Sequence, residues 1–209
     1  GAKVYVVGAA LKQAMETFDN WTYNVERVLY GSRKAAQADG WRILDNNMEH
    51  SVGNSDLAGG SLDLIALASN PDAQDSFNCN IVIADELHAY KSPKNYNILK
   101  EATKAYTNKL VIGITTAGDD GTGFCAQRLE YCRKVIRDTV RDDGYFIFIC
   151  CADKDEDGTV DFTNPVQHEK ANPNYGVTIR PADIMNDAMQ ALNAPQQRKD
   201  FYAKSLNVF

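Results

Sequence analysis

The sequence predicts a layered α/β fold, with a mostly parallel sheet flanked by helices. Three observations predict it: apolar runs that read as buried strands recur along the chain, amphipathic stretches separate them, and the 44% hydrophobic content of 209 residues suffices for a real core. The first strand is expected near residues 4–9 and the first helix over 11–29. A Gly- and Asn-rich stretch follows, with short strand candidates at 41–44 and 62–68. Then come an apolar strand ending in Asp-Glu, a helix near 95–106, a strand ending in threonines, a helix near 124–139 and a strand at 145–151. After Ala152 the composition turns to acids, Asn, Pro and Gly, and helical patterns return near 181–192 and 194–206. Pro181 suits a first helical turn and Pro195 a restart after Asn193. The expected organisation is a core over 1–152 and a small helical lid or linker over 153–209.

The chemistry concentrates in Asn80-Ile-Val-Ile-Ala-Asp-Glu-Leu-His88. Four apolar residues ending in an acidic pair put two carboxylates at the C-terminal tip of a buried strand, which is a Walker B pattern. Parallel α/β sheets bind ligands beyond those tips, so Asp85 is expected to reach a nucleotide-bound Mg²⁺, directly or through water. Glu86, one residue on, is placed to orient and deprotonate an attacking water. A second run, Lys109-Leu-Val-Ile-Gly-Ile-Thr-Thr-Ala-Gly118, ends in hydroxyls, and Thr115 or Thr116 could feel a γ-phosphate by hydrogen bonding. His88 could hydrogen-bond substrate, water or a neighbouring loop.

No Gly-x-x-x-x-Gly-Lys-Ser/Thr occurs in the sequence, and Gly118-Asp-Asp-Gly-Thr-Gly123 carries two acids that would repel phosphate. Either the chain begins after its phosphate loop or the Asp-Glu strand is structural. The abrupt entry into a strand at Lys3-Val-Tyr-Val-Val favours the first reading.

Other features bound the function. A net charge of −6 argues against autonomous tight binding to nucleic acid, although Lys91, Lys94, Lys100, Lys104 and Lys109 surround one predicted helix. Arg128, Arg133, Lys134, Arg137 and Arg141 decorate the next, and both sets read first as solvated helix faces. No apolar segment approaches the roughly 20 residues of a membrane span, so the chain reads as soluble and cytosolic. The five cysteines show no C-x-x-C spacing and read as reduced. Cys125 and Cys132 are expected on one buried helical stripe with Leu129, Ile136 and Val140. Residues 153–164 imitate an EF-hand, yet position twelve is Asn164 where a bidentate glutamate belongs, and an apolar strand is expected before it. An acidic turn is the better reading.

Taken together, these residues resemble the large terminase subunit of tailed bacteriophages, the motor that packages DNA into procapsids. The marks are Val4-Tyr-Val-Val-Gly-Ala-Ala10 with Gln13-Ala14, Ile83-Ala-Asp-Glu-Leu-His-Ala-Tyr-Lys91, Ile114-Thr-Thr-Ala-Gly118, Ala171-Asn-Pro-Asn-Tyr-Gly176 and Leu206-Asn-Val-Phe209. The resemblance implies a P-loop NTPase-like fold of the additional-strand, conserved-glutamate type. It implies ATP as substrate, Mg²⁺ on Asp85, Glu86 as catalytic base, and Thr115 and Thr116 coupling hydrolysis to movement. It further implies double-stranded DNA, a portal protein, a small terminase subunit and a homo-oligomeric ring as partners, in the cytoplasm of a host bacterium.

The family pattern also places a Walker A loop just upstream of this first strand and a nuclease domain after the Leu-Asn-aromatic segment. On that pattern these residues form the ATPase domain without either, and bind ATP weakly or not at all by themselves. Residues 69–80 hold no Arg or Lys, so no arginine finger is assigned there; Arg27, Arg33 and Arg42 are candidates by position. The competing readings are a DExH-type helicase or translocase, suggested by Asp-Glu-Leu-His, and a non-catalytic assembly module.

Overall fold

A computed structural model describes residues 1–69 and 77–209. Packing divides the chain into two compact units, Gly1–Thr115 and Thr116–Phe209. The composition change after Ala152 lies inside the second unit.

The first unit is a six-stranded sheet in the order β2-β3-β4-β1-β5-β6. Its strands are β1 (Ala2–Gly8), β2 (Trp41–Asp45), β3 (His50–Leu57), β4 (Gly60–Ala68), β5 (Ile81–Ala84) and β6 (Leu110–Gly113). β4, β1, β5 and β6 run parallel, as expected of an α/β sheet, while β2, β3 and β4 form an antiparallel meander. β1 is the centre: Val4, Tyr5, Val6 and Val7 are all buried, because a strand covered on both faces is apolar throughout. Tight turns and bulges let the meander form. Gly59 adopts a left-handed conformation at the β3–β4 turn, and the register shifts between Asn54 and Leu57.

Helix α1 (Leu11–Tyr23) packs on this sheet through Ala14 and Phe18, four residues apart and both buried. The helical region does extend to Leu29, but its last six residues, Asn24–Leu29, are wound as a π-helix. That winding turns Val25 inward while Val28 and Leu29 stay exposed. A short α2 (Arg33–Ala38), capped by the Ser32 hydroxyl on the Ala35 N–H, leads into β2. Between β5 and β6 lies α3 (Pro93–Ala102), started by Ser92 and Pro93 and anchored by buried Tyr96 and Leu99. Neither α2 nor β3 was expected from the sequence.

The second unit contains α4 (Phe124–Ile136), α5 (Pro165–Ala171), α6 (Pro181–Asn193) and α7 (Pro195–Ser205). Its core gathers Ala152, Val160, Phe162, Ala171, Ile184, Ala188, Ala191, Phe201, Leu206 and Val208. Ala152 donates its N–H to the Leu206 carbonyl, and Asn172 caps both the His168 and Ser205 carbonyls. His168, fully buried, donates its Nε2–H to the Phe162 carbonyl at 2.7 Å.

Two expectations fail here. The strand at 145–151 does not form: the segment carries no ladder, and Phe146 and Phe148 are 91% and 72% exposed. A strand needs a neighbour for its N–H and C=O groups, and among the described residues the second unit has only an isolated bridge, Tyr175 to Ile179. Cys150 and Cys151 therefore end no strand. The buried stripe of α4 also stops short, since Cys125 is buried, Cys132 half-buried and Ile136 59% exposed.

Candidate functional site at the tips of β5 and β6

Parallel pairing fixes where the acidic pair stands. β5 is held on one side by β1, with Val7 opposite Ala84, and on the other by β6, with Gly113 opposite Ala84. The pairing continues past the strand ends: Asp85 N–H donates to the Val7 carbonyl at 2.9 Å, and Ile114 N–H to the Ala84 carbonyl at 3.0 Å. Asp85 is thus held by the sheet itself, at its C-terminal edge.

The chain then turns sharply. Asp85 Oδ1 accepts the Glu86 N–H at 2.9 Å, and Glu86 sits in the left-handed region at φ 53°, ψ 54°. For a side-chain-bearing residue that conformation costs on the order of 1 kcal/mol, so the surroundings must hold it. They do: a 3₁₀ turn, Leu87–Ala89, follows at once, with Ala89 N–H on the Glu86 carbonyl at 2.8 Å and Leu87 N–H on the Ile114 carbonyl at 3.2 Å. Tyr90 closes the turn by donating its hydroxyl to the Val7 carbonyl at 3.0 Å. Burial pushes that phenol well above its ordinary range, keeping it a neutral donor.

Leu87 is buried over Gly113, where an added Cβ would lie 2.7 Å from Leu87 Cδ1. Close approach of the two strand tips therefore depends on glycine at 113.

His88 joins the tips. Its backbone N–H donates to Thr115 Oγ1 at 3.0 Å, and its Nδ1 lies 3.1 Å from the same oxygen. Nδ1 also stands 3.0 Å from Glu86 Oε2, an ion-pair distance. Glu86 Oε2 is itself buried, and no hydrogen bond of good geometry reaches it. Four sequence-nominated residues, Asp85, Glu86, His88 and Thr115, thus come together in the first unit. Thr116 opens the second unit, where its carbonyl faces Cys125 Sγ at 4.0 Å.

Sequence reasoning missed Tyr90, Leu87 and Gly113 as supports of this corner, and the left-handed turn at Glu86. Glycine at the end of an apolar run, followed by Ile-Thr-Thr, was the available signal for the close approach. Nothing in the residue type announces a left-handed glutamate.

Several of the remaining candidates are engaged locally. Arg33 pairs with Glu26 at 3.4 Å and donates to the Ile43 carbonyl at 3.0 Å, and Arg42 lies 4.0 Å from Glu49. Residues 70–76, most of the stretch searched for an arginine finger, lie outside the described residues. Lys104 pairs with Glu101, Arg133 with Glu130 and Arg141 with Asp143, while Arg128 stacks over Tyr131 and Tyr145. In the EF-hand-like segment, Asp157 and Asp161 turn back onto Thr159 and Thr163, and Asp153 pairs with Lys170. Among the described residues no three His, Cys, Asp or Glu side chains cluster to hold a metal, and no helix is long and apolar enough to cross a membrane.

The Gly-rich segment after Thr116 behaves differently from the β5 tip. Asp120 Oδ1 accepts both the N–H and the hydroxyl of Thr122, and a Cβ at Gly123 would meet Asp120 Oδ2 at 2.5 Å. Hydrogen bonds from the Thr122 backbone, then from its hydroxyl, hold the Asp120 carboxyl below its ordinary range. The Thr122 donors are thus taken up by the loop's own carboxylate, and the Gly123 N–H by the Asp120 carbonyl.

A parallel sheet carrying an acidic pair at the tip of one strand and hydroxyls at the next has the construction of a P-loop NTPase-like domain. The Terminase large subunit, ATPase domain family model matches residues 2–134, and the chain belongs to that family. Protein YmfN of Escherichia coli (strain K12) is 27% identical over 135 residues, which is 65% of this chain and 29% of YmfN. The crystal structure of the bacteriophage HK97 large terminase superposes with a TM-score of 0.77 at 18% identity, covering 99% of this chain and 40% of that one. The fold is therefore shared with HK97 terminase, and the chain spans under a third of the curated relative it matches.

Proposed function

We propose that the intact protein hydrolyses ATP to drive double-stranded viral DNA into a procapsid, as the large subunit of a phage or prophage terminase. The observation that supports this most is the joined corner of Asp85, Glu86, His88 and Thr115 at the tips of two parallel strands.

Asp85 fits Mg²⁺: a single hard carboxylate at a strand tip suits an ion that keeps several of its waters and takes other ligands from substrate phosphates. When bound, that ion neutralises charge building on the phosphate oxygens. Glu86 takes the proton of the attacking water and aims it, its partly exposed carboxylate steadied by the 3.0 Å approach of His88 Nδ1 to Oε2. Thr115 and Thr116 answer to the γ-phosphate and pass its loss on to movement. The phosphate cradle is a separate matter. No Gly-x-x-x-x-Gly-Lys-Ser/Thr occurs among these 209 residues, so by themselves they bind ATP weakly and do not turn it over.

In this reading residues 1–152 form the ATPase core and 153–209 a lid or linker. The working assembly is a homo-oligomeric ring in the host cytoplasm, engaging DNA, a portal protein and a small terminase subunit. The test is ATP turnover by the intact protein with and without Mg²⁺. Mg²⁺-dependent hydrolysis is expected, and an intact protein that neither binds nor hydrolyses ATP would leave the Asp-Glu strand a structural feature.

A further inference from the structure

We infer that His88 is a positioning residue that ties the Glu86 carboxylate to the Thr115 hydroxyl, so that a displacement at the β6 tip is felt at the water-activating group of β5. The inference rests on the reading of Glu86 as the base of ATP hydrolysis. It adds what that reading lacks, a physical link between the two strand tips.

The link is built from three contacts on one residue. Two of them, the His88 N–H at 3.0 Å and Nδ1 at 3.1 Å, converge on Thr115 Oγ1 and fix the rotamer of that threonine. The third is the 3.0 Å approach of Nδ1 to Glu86 Oε2. A single imidazole nitrogen therefore faces both groups, and a gain at one oxygen weakens its hold on the other. The backbone around His88 has little freedom to absorb a shift. Leu87 N–H is bound to the Ile114 carbonyl, the Leu87 side chain lies over Gly113, and Ala89 N–H is bound to the Glu86 carbonyl. Motion of the Thr115 hydroxyl is therefore felt at the His88 ring as well as at its backbone N–H.

Glu86 is the natural receiver. Its backbone is locked left-handed by Asp85 and Ala89, so only its side-chain torsions remain adjustable. Its one ion pair among the described residues is with His88. With Thr115 seated, Nδ1 serves the threonine and the carboxylate stands beside it without a directed hydrogen bond. If Thr115 turns toward a phosphate, Nδ1 is released to Glu86 and reorients it. His88 thereby makes the aim of the base conditional on the state of Thr115.

The test uses the intact protein. His88→Ala should lower kcat by about tenfold, the scale of one hydrogen bond lost in the transition state, with KM within about twofold. His88→Asn, whose side-chain amide can occupy the Nδ1 position, should recover most of that loss. Thr115→Val should cost a similar factor, and the double variant His88→Ala/Thr115→Val no more than either alone, because both cut one link. Multiplying losses, or full turnover in His88→Ala, would overturn the proposal while leaving the ATPase reading intact. A readout independent of turnover covers the converse case. In protein labelled with ¹⁵N-histidine, the ring resonance lost in His88→Asn should shift in both Thr115→Val and Glu86→Gln, and a resonance unmoved by both would refute the link even in a protein that hydrolyses nothing.

Discussion

Two acidic corners of this protein, the β5 tip and the Gly-rich loop 118–123, use their carboxylates in opposite ways. At Asp120 the carboxylate is consumed by its own loop, taking the Thr122 N–H and hydroxyl. At the β5 tip the backbone is equally well fixed, through Val7, Ile114 and Tyr90, yet Glu86 Oε2 takes no donor from its own turn and lies 3.0 Å from His88 Nδ1, a nitrogen shared with Thr115. The same residue chemistry thus marks a structural turn in one place and a candidate reaction site in the other, and the difference lies in which donors surround it.

That contrast can be broken first at the two aspartates. In the intact protein Asp85→Asn is expected to reduce Mg²⁺-dependent ATP turnover by about 10²-fold or more, the scale of transition-state charge stabilisation by a metal. Asp120→Asn, read in the same assay, should leave turnover within about twofold. Equal losses would put both carboxylates in one functional class. A smaller effect is expected at Gly113→Ala, where the new Cβ presses on the tip of the Leu87 side chain: about 1 kcal/mol of stability, read as a lower urea midpoint. An unchanged midpoint would mean that the two strand tips are not held as tightly as their geometry indicates.

The smallest effect concerns pH. The Asp120 carboxyl is held below its ordinary value of 3.8, so the folded state binds its proton less readily than the unfolded chain does. Its contribution is therefore present above pH 3.8 and is lost as pH falls through the lower folded value. A carboxyl ¹³C titration should give Asp120 a midpoint below 3.8, and a midpoint at or above it would remove the structural role assigned to the loop.

Much of this was legible in the residues. Apolar runs ending in Asp-Glu and in Thr-Thr located both strand tips; β5, flanked by β1 and β6, buries Val82 and Ala84, while β6 keeps its apolar run although it is the half-exposed edge strand. The partners of a strand were not legible. β3, His50–Leu57, has only Val52 and Leu57 as apolar side chains, and it forms because β2 and β4 take its hydrogen bonds on both edges. Residues 145–151, far more apolar, meet no such neighbours among the described residues of their unit. At the site, Asp85, Glu86, His88 and Thr115 were named from spacing, but their connection was not, since it depends on a left-handed backbone and a ring torsion that sequence does not encode locally. Tyr90 was invisible for the same reason: its role lies in a hydroxyl reaching back 83 positions to Val7.

The central claim is that Glu86 activates water, and Glu86→Gln in the intact protein tests it most directly, with ATP binding and single-turnover hydrolysis measured on the same preparation. Binding within a few-fold of wild type together with a fall in hydrolysis of about 10²–10⁴-fold is the expected result, the range that a general base supplies. Hydrolysis at the wild-type rate with glutamine at position 86 would contradict it.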